Sequence, residues 1–331
     1  MHFVSIRTID LSNSGEKWAQ LFKRLWPKYK RWFLREGSLA RPGYLTSRTA
    51  FEKHFPELLD VYHELCELAG GGDLSSRFLS MYCPQPNMSG CSQVAWSRPP
   101  VALVRNYDYS PVYFEGLLVK TNWLKKIIGM SDCTWGLLDG VNEDGLSISL
   151  TFGGRKITAE GFGIPLIVRY GLECCATTAE AIEKLLPIPA HMAYNLTLID
   201  AAGNFATIYF HPGEANAVVY DPVGTNHQEQ ITWPDYAALT QTLERKEYLN
   251  QVIGSPDETL EKLKAKFLEP PLYHTRYEKG FGTLYTAAYY PNETKVELLW
   301  PEQNVTIEME NFVEQRLKVM LVSDAMRKLS Y

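Results

Sequence analysis

The sequence predicts an α+β protein built as a layered sandwich, and three observations predict it. Residues 1–90 repeat apolar side chains at the helical period, the chain after Cys91 changes to short β-type runs, and helical patterns then return in blocks. The change falls at a breaker-rich loop, Pro84–Gly90, holding Pro84, Pro86, Asn87 and Gly90. That loop divides a helical N-terminal segment, 1–90, from a larger part, 91–331.

In the first segment Trp18, Leu21, Phe22, Leu25, Trp26, Tyr29, Trp32 and Phe33 recur at helical spacing, with Lys17, Lys23, Arg24, Lys28, Lys30 and Arg31 between them. Pro27 is expected to kink or divide this helix. A basic, aromatic helix can serve a membrane surface or a partner. The preferred reading is a helix packed on its own domain with solvated lysines. A second helix is expected from Arg48 to Leu68, broken at Pro56 and ended by Gly70-Gly71-Gly72, with Asp73 capping a short helix through Leu79.

Beyond Cys91 the strand-like runs are Val101–Arg105, Val112–Val119, Gly136–Leu138, Leu146–Thr151, Leu196–Ile199, Ala206–Phe210, Ala217–Tyr220, Thr283–Tyr289 and Lys295–Leu299. Hairpin spacing occurs around Asn142–Gly145, Ala202–Asn204 and Pro291–Thr294. Helices are expected at Gly163–Cys174, at Thr177–Leu186 behind the capping box Thr177-Thr178-Ala179-Glu180, and at Trp233–Leu249, Ser255–Lys266 and Asn311–Met326.

The chemistry centres on Gly90-Cys91-Ser92. Glycine populates strained backbone angles cheaply, so the carbonyl before Cys91 can be held where the thiol attacks it. Hydrolysis of the resulting thioester leaves a chain beginning at Cys91, whose α-amine has a pKa of about 7.7–8.0 and serves as its own base. Arg105 is expected to favour the thiolate, and Asp108 to accept a hydrogen bond from the amine.

The ordered set Gly90-Cys91-Ser92, Arg105-Asn106-Tyr107-Asp108, Asp139 to Leu146, Tyr194 to Asp200 with Gly203-Asn204, and Thr225-Asn226-His227 resembles the N-terminal-nucleophile (Ntn) amide hydrolases. Within them it is similar to the acyl-coenzyme A:6-aminopenicillanic acid acyltransferase group, related to choloylglycine hydrolases and acid ceramidase. The resemblance covers roughly residues 55–300. It implies a four-layer αββα architecture, Cys91 as nucleophile and amine base, Arg105 and Asp108 as its tuning pair, and Asn195 as side-chain donor to the oxyanion. Where choloylglycine hydrolases carry a second asparagine, Thr151 stands here, which argues against bile salt hydrolysis and leaves the second donor unassigned.

Thr151 is expected to contact substrate, His227 to order its loop or line the pocket, and Arg276 to contact a carboxylate or leaving group. Asn142 reads as a turn residue, and Cys133, Cys174 and Cys175 as packing residues. Tyr107, Tyr109, Tyr113, Phe114, Phe152 and Phe162 lie close in sequence to the proposed site and suit an apolar acyl or aryl group. The expected substrate is a small linear N-acyl amine or N-acyl amino acid.

Composition removes other classes. A net charge of −5 with mixed signs argues against nucleic acid, and no run of about 18 apolar residues exists to span a membrane. The first thirty residues lack an apolar secretory core, so a cytoplasmic location is the default. Six cysteines without C-x-x-C spacing, seven scattered histidines and no phosphate or dinucleotide loop give no metal and no cofactor. The partners expected are the amide substrate and, after cleavage, the two fragments for each other; a homo-oligomer is compatible with the sequence. Two other readings stand: a Cys–His hydrolase using His227 or His274 without self-cleavage, and a catalytically silent binding or scaffold protein.

Overall fold

The computed structural model describes residues 2–13, 15–86 and 88–321. The chain opens with a strand, β1 (His2–Asp10), followed by α1 (Gly15–Phe33), α2 (Tyr44–His54), α3 (Leu59–Leu68) and α4 (Asp73–Leu79). Strands β2 (Gly90–Trp96), β3 (Ala102–Tyr109), β4 (Leu117–Asn122), β5 (Lys126–Asp132), β6 (Gly136–Asn142) and β7 (Ser147–Phe152) come next. Helices α5 (Ile164–Cys174) and α6 (Thr178–Leu185) precede β8 (Tyr194–Ile199), β9 (Phe205–Phe210), β10 (Ala217–Val219) and β11 (Val223–Gly224). Then come α7 (Pro234–Thr240), α8 (Thr242–Gly254), α9 (Leu260–Phe267), β12 (Gly282–Tyr290), β13 (Lys295–Trp300), β14 (Gln303–Glu308) and β15 (Arg316–Leu321).

Two sheets result. The larger runs β10-β9-β8-β7-β6-β5-β4-β1-β15 and the smaller β11-β2-β3-β12-β13-β14. They face each other through β2, β3, β7 and β8, with α5 and α6 outside the larger sheet and α8 and α9 outside the smaller. This is the αββα order that the resemblance implies.

Strand alternation sorts the small sheet's side chains. Cys91, Ala95, Leu103 and Tyr107 enter the core between the sheets, while Val94, Trp96, Ala102 and Val104 pack with Leu249, Val252, Leu263 and Phe267 of the outer helices. At about 25 cal/mol per Å² of apolar surface, each such buried aliphatic or aromatic side chain stabilises the fold by roughly 1.5–3 kcal/mol before entropy is counted.

Local chemistry marks several helix boundaries. Thr177 accepts from the Glu180 amide at 3.2 Å, and Glu180 Oε2 takes the Ala176 amide at 2.7 Å. Pro27 lies inside an unbroken α1. Pro56 does break the second helical stretch, starting a short 3₁₀ turn, Pro56–Leu58. Asn142 holds the β6–β7 corner, donating to the Leu172 and Cys175 carbonyls and accepting from the Leu146 amide.

Some expectations are corrected. The first ninety residues are not helical throughout: β1 lies inside the larger sheet, parallel to β4 and antiparallel to β15. Asp73 is the first helical residue of α4 rather than its cap, and Gly72 holds the cap position. The helix expected at Asn311–Met326 is strand β15 over Arg316–Leu321, because pairing with β1 outweighs local propensity; its last residues, 322–326, lie outside the described residues. The stretch expected as one helix from Trp233 is divided at Gln241, whose φ is +52°.

Candidate active site

Cys91 is fully buried near the start of β2, and β2 and β3 pair so that Cys91 lies opposite Tyr107 and Gly90 opposite Asp108. Arg105 shares the inter-sheet face. Its Nη2 donates to Cys91 Sγ at 3.0 Å and to the Leu150 carbonyl at 3.2 Å, while its Nη1 pairs with Asp139. Asp139 also accepts from the hydroxyls of Tyr285, at 2.6 Å, and Tyr289. The guanidinium is thus anchored on one side and offered to the sulfur on the other.

Asp108 lies three residues further along β3, hence on the opposite face. It accepts from the Thr283 hydroxyl at 2.6 Å, while its second oxygen has no hydrogen-bond partner and sits 3.9 Å from Arg245 and 3.8 Å from His274. The sequence pairs Arg105 and Asp108 as one tuning unit; the structure divides them between the thiol side and the helix side of the sheet.

The backbone around the Gly90–Cys91 bond is clamped. Asn226 Oδ1 accepts from the Cys91 amide at 2.9 Å, and Asn226 Nδ2 donates to the carbonyls of Ser89 and Phe152 at 3.2 and 3.1 Å. The Tyr236 hydroxyl donates to the same Ser89 carbonyl at 2.7 Å. Arg245 donates to the Cys91 carbonyl at 2.6 Å, to Ser92 Oγ at 2.7 Å and to Asn226 Oδ1 at 2.8 Å. Gly90 matters here for space rather than backbone strain: a Cβ at this position would collide with the Phe281 ring.

Electrostatics differ from the sequence expectation. Burial pushes the Cys91 thiol above its ordinary value, outweighing the pull of Arg105. Burial also lifts Asp108 to about 6 although Arg245, Thr283 and Arg105 oppose it. His274 is pushed down to about 3 by burial, Arg245 and Arg276, and His227 to about 4 by burial, Lys246 and Arg245. Sγ is hydrogen-bonded by Arg105 and faces Ser89 Oγ at 3.8 Å, with no histidine among these partners. The Cys–His reading has no support in this geometry.

The remaining predicted residues fall near the site without facing a ligand space. Asn195 spends its amide on the carbonyls of Thr225 and His227, each at 2.9 Å, so it shapes the loop that carries Asn226. Thr151 donates to the Thr225 carbonyl at 2.9 Å, and His227 Nδ1 meets the Thr242 hydroxyl at 2.9 Å. Arg276 donates to the Leu239 carbonyl and stacks over Phe281. None of Thr151, His227 and Arg276 lines the adjoining cavity, contrary to their expected substrate contacts.

That cavity measures about 750 Å³ and reaches Ser89, Tyr107 and Leu150, close in the fold to Cys91. Tyr107, Tyr109, Tyr113 and Phe162 line it as the sequence anticipates; Phe114 instead stacks on Tyr285, and Phe152 packs edge-on against Tyr194 and Tyr236. His191 Nδ1 contacts the Ala159 carbonyl at 2.6 Å, leaving Nε2 unpaired at the cavity wall. Among the described residues no group of three or more His, Cys, Asp or Glu is placed to hold a metal ion, and no helix is long and apolar enough to cross a membrane.

Sequence reasoning misses the parts played by Asn226, Arg245 and Asp139. Asn226 and Asp139 stand in the family-like pieces without roles. Arg245 carries one legible signal, a cation at the core-facing position of the Thr242, Arg245, Leu249, Val252 spacing.

No curated protein matches the chain. Among solved structures, penicillin V acylase from Agrobacterium tumefaciens is similar at 14% identity and TM-score 0.43, over 70% of this chain and 92% of that one. A mutant of conjugated bile acid hydrolase from Clostridium perfringens is similar at 13% identity and TM-score 0.45, over 72% of this chain and 98% of that one. The Caenorhabditis elegans ortholog of N-acylethanolamine-hydrolyzing acid amidase is similar at 15% identity and TM-score 0.44, over 70% and 100%. A family model matches residues 96–304, well over half of the 331-residue chain and beginning just after the cysteine segment. The chain therefore belongs to the acyl-coenzyme A:6-aminopenicillanic acid acyl-transferase family.

Proposed function

We propose that this protein is a self-processing cysteine amidohydrolase or acyltransferase, with Cys91 as nucleophile, acting on the linear amide bond of a small N-acyl amine or N-acyl amino acid. The observation that carries the reading is the clamp on Cys91: its sulfur at Arg105 and its amide at Asn226, with the preceding Ser89 carbonyl held by Asn226 and Tyr236. In maturation Sγ attacks the Gly90 carbonyl carbon, the C–N bond breaks, and the Cys91 nitrogen takes the proton. Water then hydrolyses the thioester, leaving a Gly90 carboxylate, a free thiol and an α-amine.

In turnover the same sulfur takes the acyl group, the α-amine protonates the departing amine, and water or an incoming amine receives the acyl group. Asn226 Oδ1, already the acceptor for the Cys91 amide, then orients the α-amine. Asn226 Nδ2 is the better-placed oxyanion donor: its hydrogen on the Ser89 carbonyl is freed when that end of the cut chain withdraws, whereas Asn195 keeps both hydrogens on the loop. Asp108 supports the amine from the other face through Arg245. The burial that raises the thiol's pKa belongs to the uncleaved chain, and removal of the Ser89–Gly90 cover exposes the sulfur to the cavity.

Intact-mass measurement tests the reading. The wild-type protein is expected as fragments 1–90 and 91–331 that remain associated, since β1 is hydrogen-bonded on both edges within the larger sheet. Cys91→Ala is expected to stay one chain and release no amine. A wild-type protein that is fully active yet uncleaved would overturn self-processing, and activity surviving in a clean Cys91→Ala preparation would overturn the cysteine mechanism.

A further inference from the structure

The basic face of α1 has a role that packing does not explain. Lys28, Arg31 and Trp32, with Arg35 in the turn just past the helix end, follow the i, i+3, i+4, i+7 spacing of one helical face, and all four line the cavity. Much of the remaining wall is apolar, with Met81, Tyr107, Leu138, Leu150 and Phe162, though Gln85, Ser89, Ser110 and His191 also line it. The whole chain carries a net charge of −5, yet the Lys, Arg, Asp and Glu side chains lining this cavity, among the described residues, are three cations and one carboxylate, Asp132.

Lys28 is attracted to two carboxylates, Glu115 and Asp132, which leaves Arg31 and Arg35 as the cations to be explained. The Asp132 carboxylate accepts from the Tyr29 hydroxyl at 3.0 Å, and burial together with Glu115 lifts it to about 7. Lys28 donates to the Val112 carbonyl at 2.9 Å, and neither Arg31 nor Arg35 forms an ion pair among the described residues. Like charges on one helical face repel by a few tenths of a kcal/mol, a standing cost that a bound anion removes. His191 holds Nδ1 against the Ala159 carbonyl at 2.6 Å, and burial pushes its pKa below the ordinary value, so it adds little positive charge to this wall.

We infer that α1 is the specificity element of the site: Arg31 and Arg35, with Lys28 deeper in the cavity, receive a carboxylate or other anionic end of the substrate, while Trp32 and the apolar wall hold its hydrophobic body. This rests on the amidase reading for what is cleaved, but the recognition itself is independent of cleavage. It also gives the 1–90 fragment a duty after maturation, since without it the cavity lacks its cationic wall.

The test is a matched ligand pair, N-(phenylacetyl)glycine and N-(phenylacetyl)ethanolamine, which differ in the anionic end. Binding to full-length Cys91→Ala protein, measured by calorimetry, reports recognition without turnover. The anionic ligand is expected to bind about tenfold more tightly, with the preference shrinking as salt is raised from about 0.01 M to about 0.15 M. Arg31→Gln combined with Arg35→Gln, both solvent-facing positions whose loss leaves the core intact, is expected to bring the two affinities together. Equal affinities in the parent protein, binding of neither ligand, or a preference that survives both arginine changes would each overturn the inference. If binding behaves as expected while wild-type protein releases amine from neither compound, the amidase reading fails and the recognition stands.

Discussion

Arg105–Asp139 and Arg169–Glu173 are both ion pairs with every side chain at most 1% exposed, and they differ in what is left over. Arg169 donates to the Trp135 carbonyl and the Thr121 hydroxyl and lies over the Trp123 ring, while Glu173 takes the amides of Leu124 and Lys125. Neither residue of that pair has a fully buried side-chain polar atom without a partner among the described residues. On the two faces of the sheet that carries Cys91, by contrast, Arg105 Nε, Asp108 Oδ2, Asn195 Oδ1 and His274 Nε2 are all buried and unpaired. Unpaired buried polar atoms cost about 1–3 kcal/mol each, so a cluster of them marks a place where the fold has kept capacity for something other than itself. One pair closes a helix onto a sheet; the other holds a cation against a sulfur.

The largest expected effect sharpens that comparison directly. Arg105→Met and Arg169→Met each strand a buried carboxylate, and both are expected to lower stability by about 3–5 kcal/mol in urea unfolding. Only Arg105→Met should move the alkylation of Cys91 by iodoacetamide to higher pH, because only there does a thiolate lose its cation. Equal shifts in the two variants, or none in either, would break the distinction.

A smaller effect separates the two asparagines beside the site. Asn226→Ala is expected to slow both cleavage and turnover by about 10²–10³-fold, the usual loss for one oxyanion donor. Asn195→Ala acts through the loop and should cost less in rate. Single-turnover kinetics giving the reverse order would return the donor role to Asn195.

The smallest concerns Asp108 and pH. Its carboxyl is lifted from an ordinary 3.8 to about 6 by burial. A folded value above the unfolded one means that the native state binds the proton more tightly. The associated stability is therefore complete below about pH 4 and is lost as pH rises through about 6. Asp108→Asn should flatten the dependence of the urea midpoint on pH between about 4 and 7. An unchanged profile would place Asp108 outside the strained set.

Much of the fold is legible in the chain itself. Period-2 runs locate most central strands to within a few residues, since their apolar side chains alternate visibly, and the capping box at Thr177 marks its helix start. The strands His2–Asp10 and Arg316–Leu321 escape such reading because they stabilise each other across the whole length of the sequence, a pairing that local pattern does not contain. The same holds in the site. Cys91 and Arg105 can be singled out because thiol and cation chemistry is carried by residue type.

Residue order alone establishes the list of reactive groups, their succession and the alternation of faces along each strand, because covalent spacing and side-chain chemistry are local. It takes the folded chain to bring Asn226 rather than Asn195 to the Cys91 amide, and to require a small residue at position 90 because Phe281 packs there. Those facts depend on which distant segments come within hydrogen-bond reach of β2, and close packing of two sheets, not the order of residues along one strand, sets such distances.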